Sequence, residues 1–105
     1  MDLKTPTRAD TLALIARHLR EHFGDELRRL FVLPVDPYEP ETMGFDYTLV
    51  AVTARDVREK VHEVVTEMTP NLLPEVAFVY PMTVHEFKDA TTDVARAARE
   101  AGVEL

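Results

Sequence analysis

The sequence predicts an α+β domain: a small mixed β-sheet with helices on one face, in the order α-β-β-α-β-α. Three observations predict it. Stretches with apolar residues at helical spacing alternate with apolar runs too short to be helices. The first two runs are joined by a loop, whereas the second and third are separated by a helix of about four turns, long enough to carry the chain back for a parallel pairing. The composition, 46% hydrophobic and 30% charged over 105 residues, is that of a globular chain with one core, so residues 1–105 are expected to form a single domain.

Thr5-Pro6 or Thr7 opens the first helix, with Asp10 three residues after Thr7, and Leu12, Ile15, Ala16, Leu19 and Phe23 give it an apolar stripe. Gly24 supplies its stop. Leu30 to Leu33 reads as a buried strand, and an eleven-residue loop, Pro34 to Gly44, follows it. From Phe45 to Thr53 the chain alternates: Phe45, Tyr47, Leu49 and Ala51 face one way, Asp46, Thr48, Val50 and Val52 the other. Both sets are mostly apolar, which makes this strand central. Thr53, with Asp56 three residues on, reads as the cap of a helix striped by Val57, Val61, Val64, Val65 and Met68 and ending before Pro70. Val76 to Tyr80 is the third strand. Thr83 and Glu86 form a capping box for a last helix, whose buried side is Phe87, Ala90, Val94, Ala97, Ala98 and Ala101 and which Gly102 ends.

Charge and residue usage narrow the function classes. A net charge of −7 repels a phosphate backbone, and the one adjacent basic pair, Arg28-Arg29, sits beside Asp25 and Glu26, so nucleic acid is not the expected partner. No apolar run exceeds six residues even when Pro34 is counted, against the roughly 20 that span a bilayer, and no membrane role is expected. The absence of cysteine removes disulfides and thiolate chemistry, and the N-terminus lacks a basic-then-apolar signal pattern, so the expected compartment is the cytoplasm.

Four candidate sites arise from the residues themselves. His18-Leu-Arg-Glu21-His22 has the spacing of an inverted zinc peptidase motif, but Glu21 points away from the apolar stripe and no third ligand helix is evident, which favours a solvated helix flank. His62 and His85 have no serine, cysteine or acid constellation around them, and the chain contains no serine, so both read as surface residues. Asp36, Glu39 and Glu41 could offer oxygens to a hard cation, yet their loop lacks the spacing of a calcium loop and its prolines stiffen it. Asp46, alone at the mouth of an apolar strand, is either a ligand for a metal or a carboxylate that accepts hydrogen bonds from loop amides near Gly44.

Taken in order, RRLFVLP, the eleven-residue loop, FDYTLVAV, a helix, PEVAFVY, TVHEF and AREAGVEL resemble the minimal nucleotidyltransferases of the DNA polymerase beta superfamily, from about Leu12 to Leu105. The resemblance implies a nucleotidyltransferase-like fold in which a glycine-serine pair holds the triphosphate and three strand carboxylates bind magnesium. Laid on this sequence without a gap, the glycine and serine fall on Pro34 and Val35, the first aspartate on Asp46 and the second on Thr48. The third carboxylate falls near Ala77, where Glu75 is the neighbouring acid. Asp46 and Glu75 are therefore the vestigial metal-binding candidates, and Pro34, Val35, Thr48 and Ala77 the degenerate motif positions.

Two magnesium ions about 4 Å apart need charged oxygens around them. Thr48 is neutral, Pro34 has no N–H, Val35 has no hydroxyl, and the loop acids place negative charge where a polyphosphate would arrive. The expectation is a catalytically inactive, antitoxin-like module without a cofactor. It would bind a protein partner, a HEPN-type toxin as the resemblance implies, or a second copy of itself. The face carrying Thr48 and Val50, with Tyr38 and Met43, is the expected contact area. The alternative is an active magnesium- and ATP-dependent enzyme that modifies a protein or small-molecule hydroxyl.

Overall fold

In the computed structural model, residues 8–33, 46–72 and 76–105 are described. The first helix, α1 (Arg8–Phe23), buries Ile15 and Leu19 completely. Its predicted cap at Thr5 to Thr7 lies outside the described residues. Gly24, at φ +55°, takes the left-handed conformation that a β-carbon disfavours and turns the chain through a short 3-10 segment, Gly24–Glu26. Strand β1 follows as Leu27–Leu33, three residues longer at its start than predicted. A register shift between Leu27 and Arg29 explains the difference. This irregularity leaves Arg28 and Arg29 both exposed, so the alternation that marks a strand in sequence is lost there.

Strand β2 (Tyr47–Thr53) pairs antiparallel with β1, while β3 (Ala77–Thr83) pairs parallel with β2. Helix α2 (Arg58–Leu72) supplies the crossover that parallel neighbours need. All seven residues of β2 are buried, as a central strand requires. The predicted alternation holds: Tyr47, Leu49 and Ala51 pack with Leu30, Val32, Val79 and the buried sides of α1 and α2. Val50 and Val52 face the opposite layer with Phe31, Leu33 and Met82.

That opposite layer corrects one expectation. The class is α+β with a mixed sheet, but the helices cover both faces. Helices α1 and α2 lie on one side; α3 (Val84–Asp89) and α4 (Asp93–Ala101) cover the other through Phe87, Val94, Ala95 and Ala98. The physical reason is in β2 itself: a strand apolar on both sides exposes a hydrophobic face unless each side is covered. At about 25 cal/mol per Å² of apolar surface, one uncovered face would forfeit several kcal/mol.

The single last helix predicted from Thr83 is two. Thr83 does form the predicted capping box, its hydroxyl accepting from the Glu86 amide at 3.1 Å while its own amide donates to Glu86 Oε1 at 2.8 Å. Ala90 then adopts φ +51° and ends α3. Thr92 caps α4 by accepting from the Ala95 amide at 3.1 Å.

Three further differences are local. Thr53 ends β2 and donates to the Arg55 carbonyl at 2.6 Å, so the helix-start bond comes from Asp56, which accepts from the Arg58 amide at 3.2 Å. Helix α2 continues through Pro70 because Leu72, one turn beyond Met68, is buried in the core with it; this burial outweighs one lost backbone bond. After Gly102 the chain adds an unpredicted strand, β4 (Val103–Glu104), antiparallel to β1. The sheet order is β3-β2-β1-β4. A β-carbon on Gly102 would stand 2.6 Å from the Ala98 carbonyl oxygen, so only glycine lets the chain pass so close to α4.

Candidate functional site

Asp46 stands immediately before β2 and is bound to the start of β3. The Val76 amide donates to Asp46 Oδ2 at 2.8 Å, and the Asp46 amide donates back to the Val76 carbonyl at 2.7 Å, with Tyr47 N adding a third contact at 3.3 Å. The carboxylate therefore fastens the mouths of two parallel strands. The described partner of this carboxylate is the distant Val76 amide; the Gly44 region, where the sequence placed its loop amides, lies outside the described residues.

Thr48 is 7% exposed and lies level with Leu33 on one side and Phe78 on the other. Alternation puts it on the face of Val50 and Val52, the one covered by α3 and α4. Ala77 is level with Tyr47 and belongs with it to the α1-α2 layer. Thr48 and Ala77 thus lie on opposite faces of the sheet, and the residue of β3 that shares Thr48's level is Phe78. A displacement of one residue along a strand reverses its face, so a carboxylate at Ala77 itself would not share the face of Thr48, whereas one at Phe78 would. Pro34, Val35, Glu75 and the acids Asp36, Glu39 and Glu41 lie outside the described residues, as do Tyr38 and Met43.

The expected contact face is corrected as well. Val50 is fully buried in the α3-α4 layer and Thr48 is only 7% exposed, so they offer little surface to a partner. Among the described residues no three histidine, cysteine, aspartate or glutamate side chains gather as a metal site. His22 lies edge-on to Phe23 at 4.9 Å, while His85 pairs with Asp89 at 3.1 Å along the exposed side of α3. His62 on α2 approaches Phe78, with ring centres 6.2 Å apart.

Sequence reasoning missed a concavity of about 420 Å³ where the bulged start of β1 meets α3 and α4. Arg28, Arg29, Lys88 and Arg99 surround it, and Val52, Val84 and Phe87 form its apolar part. Arg29 is held in place. Its Nη2 and Nε donate to Glu104 Oε1 and Oε2 at 2.8 and 3.1 Å, and its guanidinium carbon lies 4.9 Å from the Phe31 ring centre and 5.4 Å from that of Phe87. The hydrogen bond with Glu104 raises the Arg29 pKa and lowers that of the carboxylate. Phe31 and Phe87 stack with centroids 5.2 Å apart. Arg99 Nη1 donates to the Lys88 carbonyl at 2.9 Å, joining α4 to α3.

The signal in the sequence is the Arg28-Arg29 pair, set beside Asp25 and Glu26. In the fold, Glu26 turns to Arg55 at 3.1 Å, and that hydrogen bond is the largest cause of its lowered pKa. A larger hollow of about 590 Å³ at the start of α2 is different in kind. Its Lys60 and Glu63 pair with each other at 2.9 Å, and Arg58 bonds Asp56 and Glu86, so opposite charges there neutralise one another.

The chain is thus a three-layer α+β domain in which one four-stranded mixed sheet separates two pairs of helices. No family model, curated protein or solved structure matches it. Among the described residues no helix is long and apolar enough to cross a membrane.

Proposed function

We propose that this chain is a nucleotidyltransferase-like protein without transfer activity, acting in the cytoplasm as an antitoxin-like module that binds a helical protein of the HEPN toxin type. The observation that carries the inactive reading is the bond from the Val76 amide to Asp46 Oδ2 at 2.8 Å. It gives the one acid at the motif strand a structural task, while the neighbouring motif position is the neutral, buried Thr48. A pair of divalent cations requires several convergent carboxylate oxygens, and Thr48 and Ala77 lie on different faces of the sheet. The partner class rests on the sequence resemblance. Because helices cover both faces of the sheet, a protein partner or a second copy would meet the helices, loops or sheet edges.

Incubation of the purified chain and its co-expressed neighbour-encoded protein with magnesium and labelled ATP tests this reading. The expected result is a stable complex with no label on either component. Label that disappears in Asp46→Ala, and also in the better-preserved Asp46→Asn, would instead identify an active nucleotidyltransferase. Failure of the two proteins to co-purify would remove the antitoxin role.

A further inference from the structure

We infer that the concavity between β1, α3 and α4 is a binding site for a compact organic anion, one that carries a phosphate or carboxylate on a flat apolar body. Four cationic side chains converge there from three elements: Arg28 and Arg29 from β1, Lys88 from α3 and Arg99 from α4. That is a third of the 12 lysines and arginines of a chain whose net charge is −7. Like charges repel when gathered, and surface cations in an acidic protein gain by dispersing among carboxylates. An anion bound among them offsets the repulsion that remains after Glu104 pairs with Arg29 at 2.8 Å.

The arrangement is also prepared for a ligand. Arg29 is fixed by two bonds to Glu104 and by the rings of Phe31 and Phe87, and Arg99 is tied to the Lys88 carbonyl. Groups held in this way lose little freedom when an anion arrives. A guanidinium retains further N–H donors after a bidentate pairing, so Arg29 is not exhausted by Glu104.

Size and charge select the kind of occupant. A volume of about 420 Å³ falls within the roughly 300–1,000 Å³ of small-molecule sites. Val52, Val84 and Phe87 provide apolar contact beside the cations, and Val84 is 40% exposed. A long polyanion or a broad acidic protein surface would have to lie against the negative remainder of the molecule, including Asp25 beside Arg28 and Glu100 beside Arg99. A compact anion avoids that surface. The site is also separate from Asp46: Val52 lies six residues beyond it, about 20 Å along the strand direction.

Titration of the intact chain with phenyl phosphate, benzoate and inorganic phosphate, followed by amide chemical shifts and calorimetry, tests the inference. Saturable binding of phenyl phosphate or benzoate, tighter than inorganic phosphate and shifting the amides around Val84, Lys88 and Arg99, is expected; comparison of the two identifies the head group. The double variant Lys88→Gln/Arg99→Gln should bind about tenfold more weakly or worse, as loss of charge-assisted hydrogen bonds predicts. Val84→Asp should weaken binding with all four cations still present. Shifts confined to other regions, equal affinity in the folded double variant, or no saturation by either aromatic anion would overturn the site. A hexaglutamate peptide that binds more tightly than both would show a docking surface for protein, and would equally overturn the small-anion assignment.

Discussion

Asp46 couples residues 30 positions apart through a single side chain. Its carboxylate accepts the Val76 amide at the point where β2 and β3 begin to run in parallel, and the reciprocal backbone bond from Asp46 N to the Val76 carbonyl closes the clip. Exposed geometry lets water replace part of what is lost on truncation, so Asp46→Ala should cost about 0.5–1.5 kcal/mol. Asp46→Asn keeps an acceptor oxygen and should cost less. Urea unfolding at neutral pH measures both, and an alanine variant as stable as the parent would show that the clip contributes nothing. Because truncation of this clip is expected to lower stability as well, the asparagine variant is the cleaner probe in any activity assay.

At the scale of an element, α3 is six residues long and could not persist alone, because short helices do not repay nucleation. Its capping box and the packing of Phe87 hold it. Glu86 serves two partners: its carboxylate accepts the Thr83 amide and pairs with Arg58 at 3.1 Å. The Thr83 amide is the first cause of its lowered pKa, with Arg58 contributing. Because the folded pKa is depressed, the stabilisation is complete above the unfolded pKa and is lost as pH falls through the lower folded value. Thr83→Ala should cost about 1 kcal/mol at neutral pH. Glu86→Gln should remove part of the acid sensitivity, seen as a shallower fall in unfolding midpoint below pH 4.5, the ordinary glutamate value. An unchanged acid profile in Glu86→Gln would refute this role.

For the whole molecule, the sheet is a partition shared by two cores. Leu49 is fully buried in the α1-α2 layer and Leu33, 4% exposed, in the α3-α4 layer. Leu49→Ala and Leu33→Ala should each cost about 2–5 kcal/mol, and each should lower one common transition because β1 and β2 belong to both layers. Far-ultraviolet circular dichroism and tyrosine fluorescence should then report coincident unfolding curves; separate midpoints in either variant would mean that the layers unfold independently. Charge is also organised at this scale, with an acidic molecule concentrating Arg28, Arg29, Lys88 and Arg99 around one hollow.

Features set by neighbouring residues could be read directly along the chain. The two-faced alternation of β2, the stripes of α1 and α2 and the box at Thr83 were all legible, because each rests on spacings of a few residues. Asp46 was legible as an unusual carboxylate, but its partner at Val76 was not. The tertiary structure alone extended β1 through two arginines, carried α2 past Pro70, divided the last helix at Ala90 and added β4. It also placed helices on both sides of the sheet, separated Thr48 from Ala77, and gathered four cations from three elements. These outcomes depend on which distant surfaces must be buried together, and periodicity along a chain carries no record of what will lie across from it.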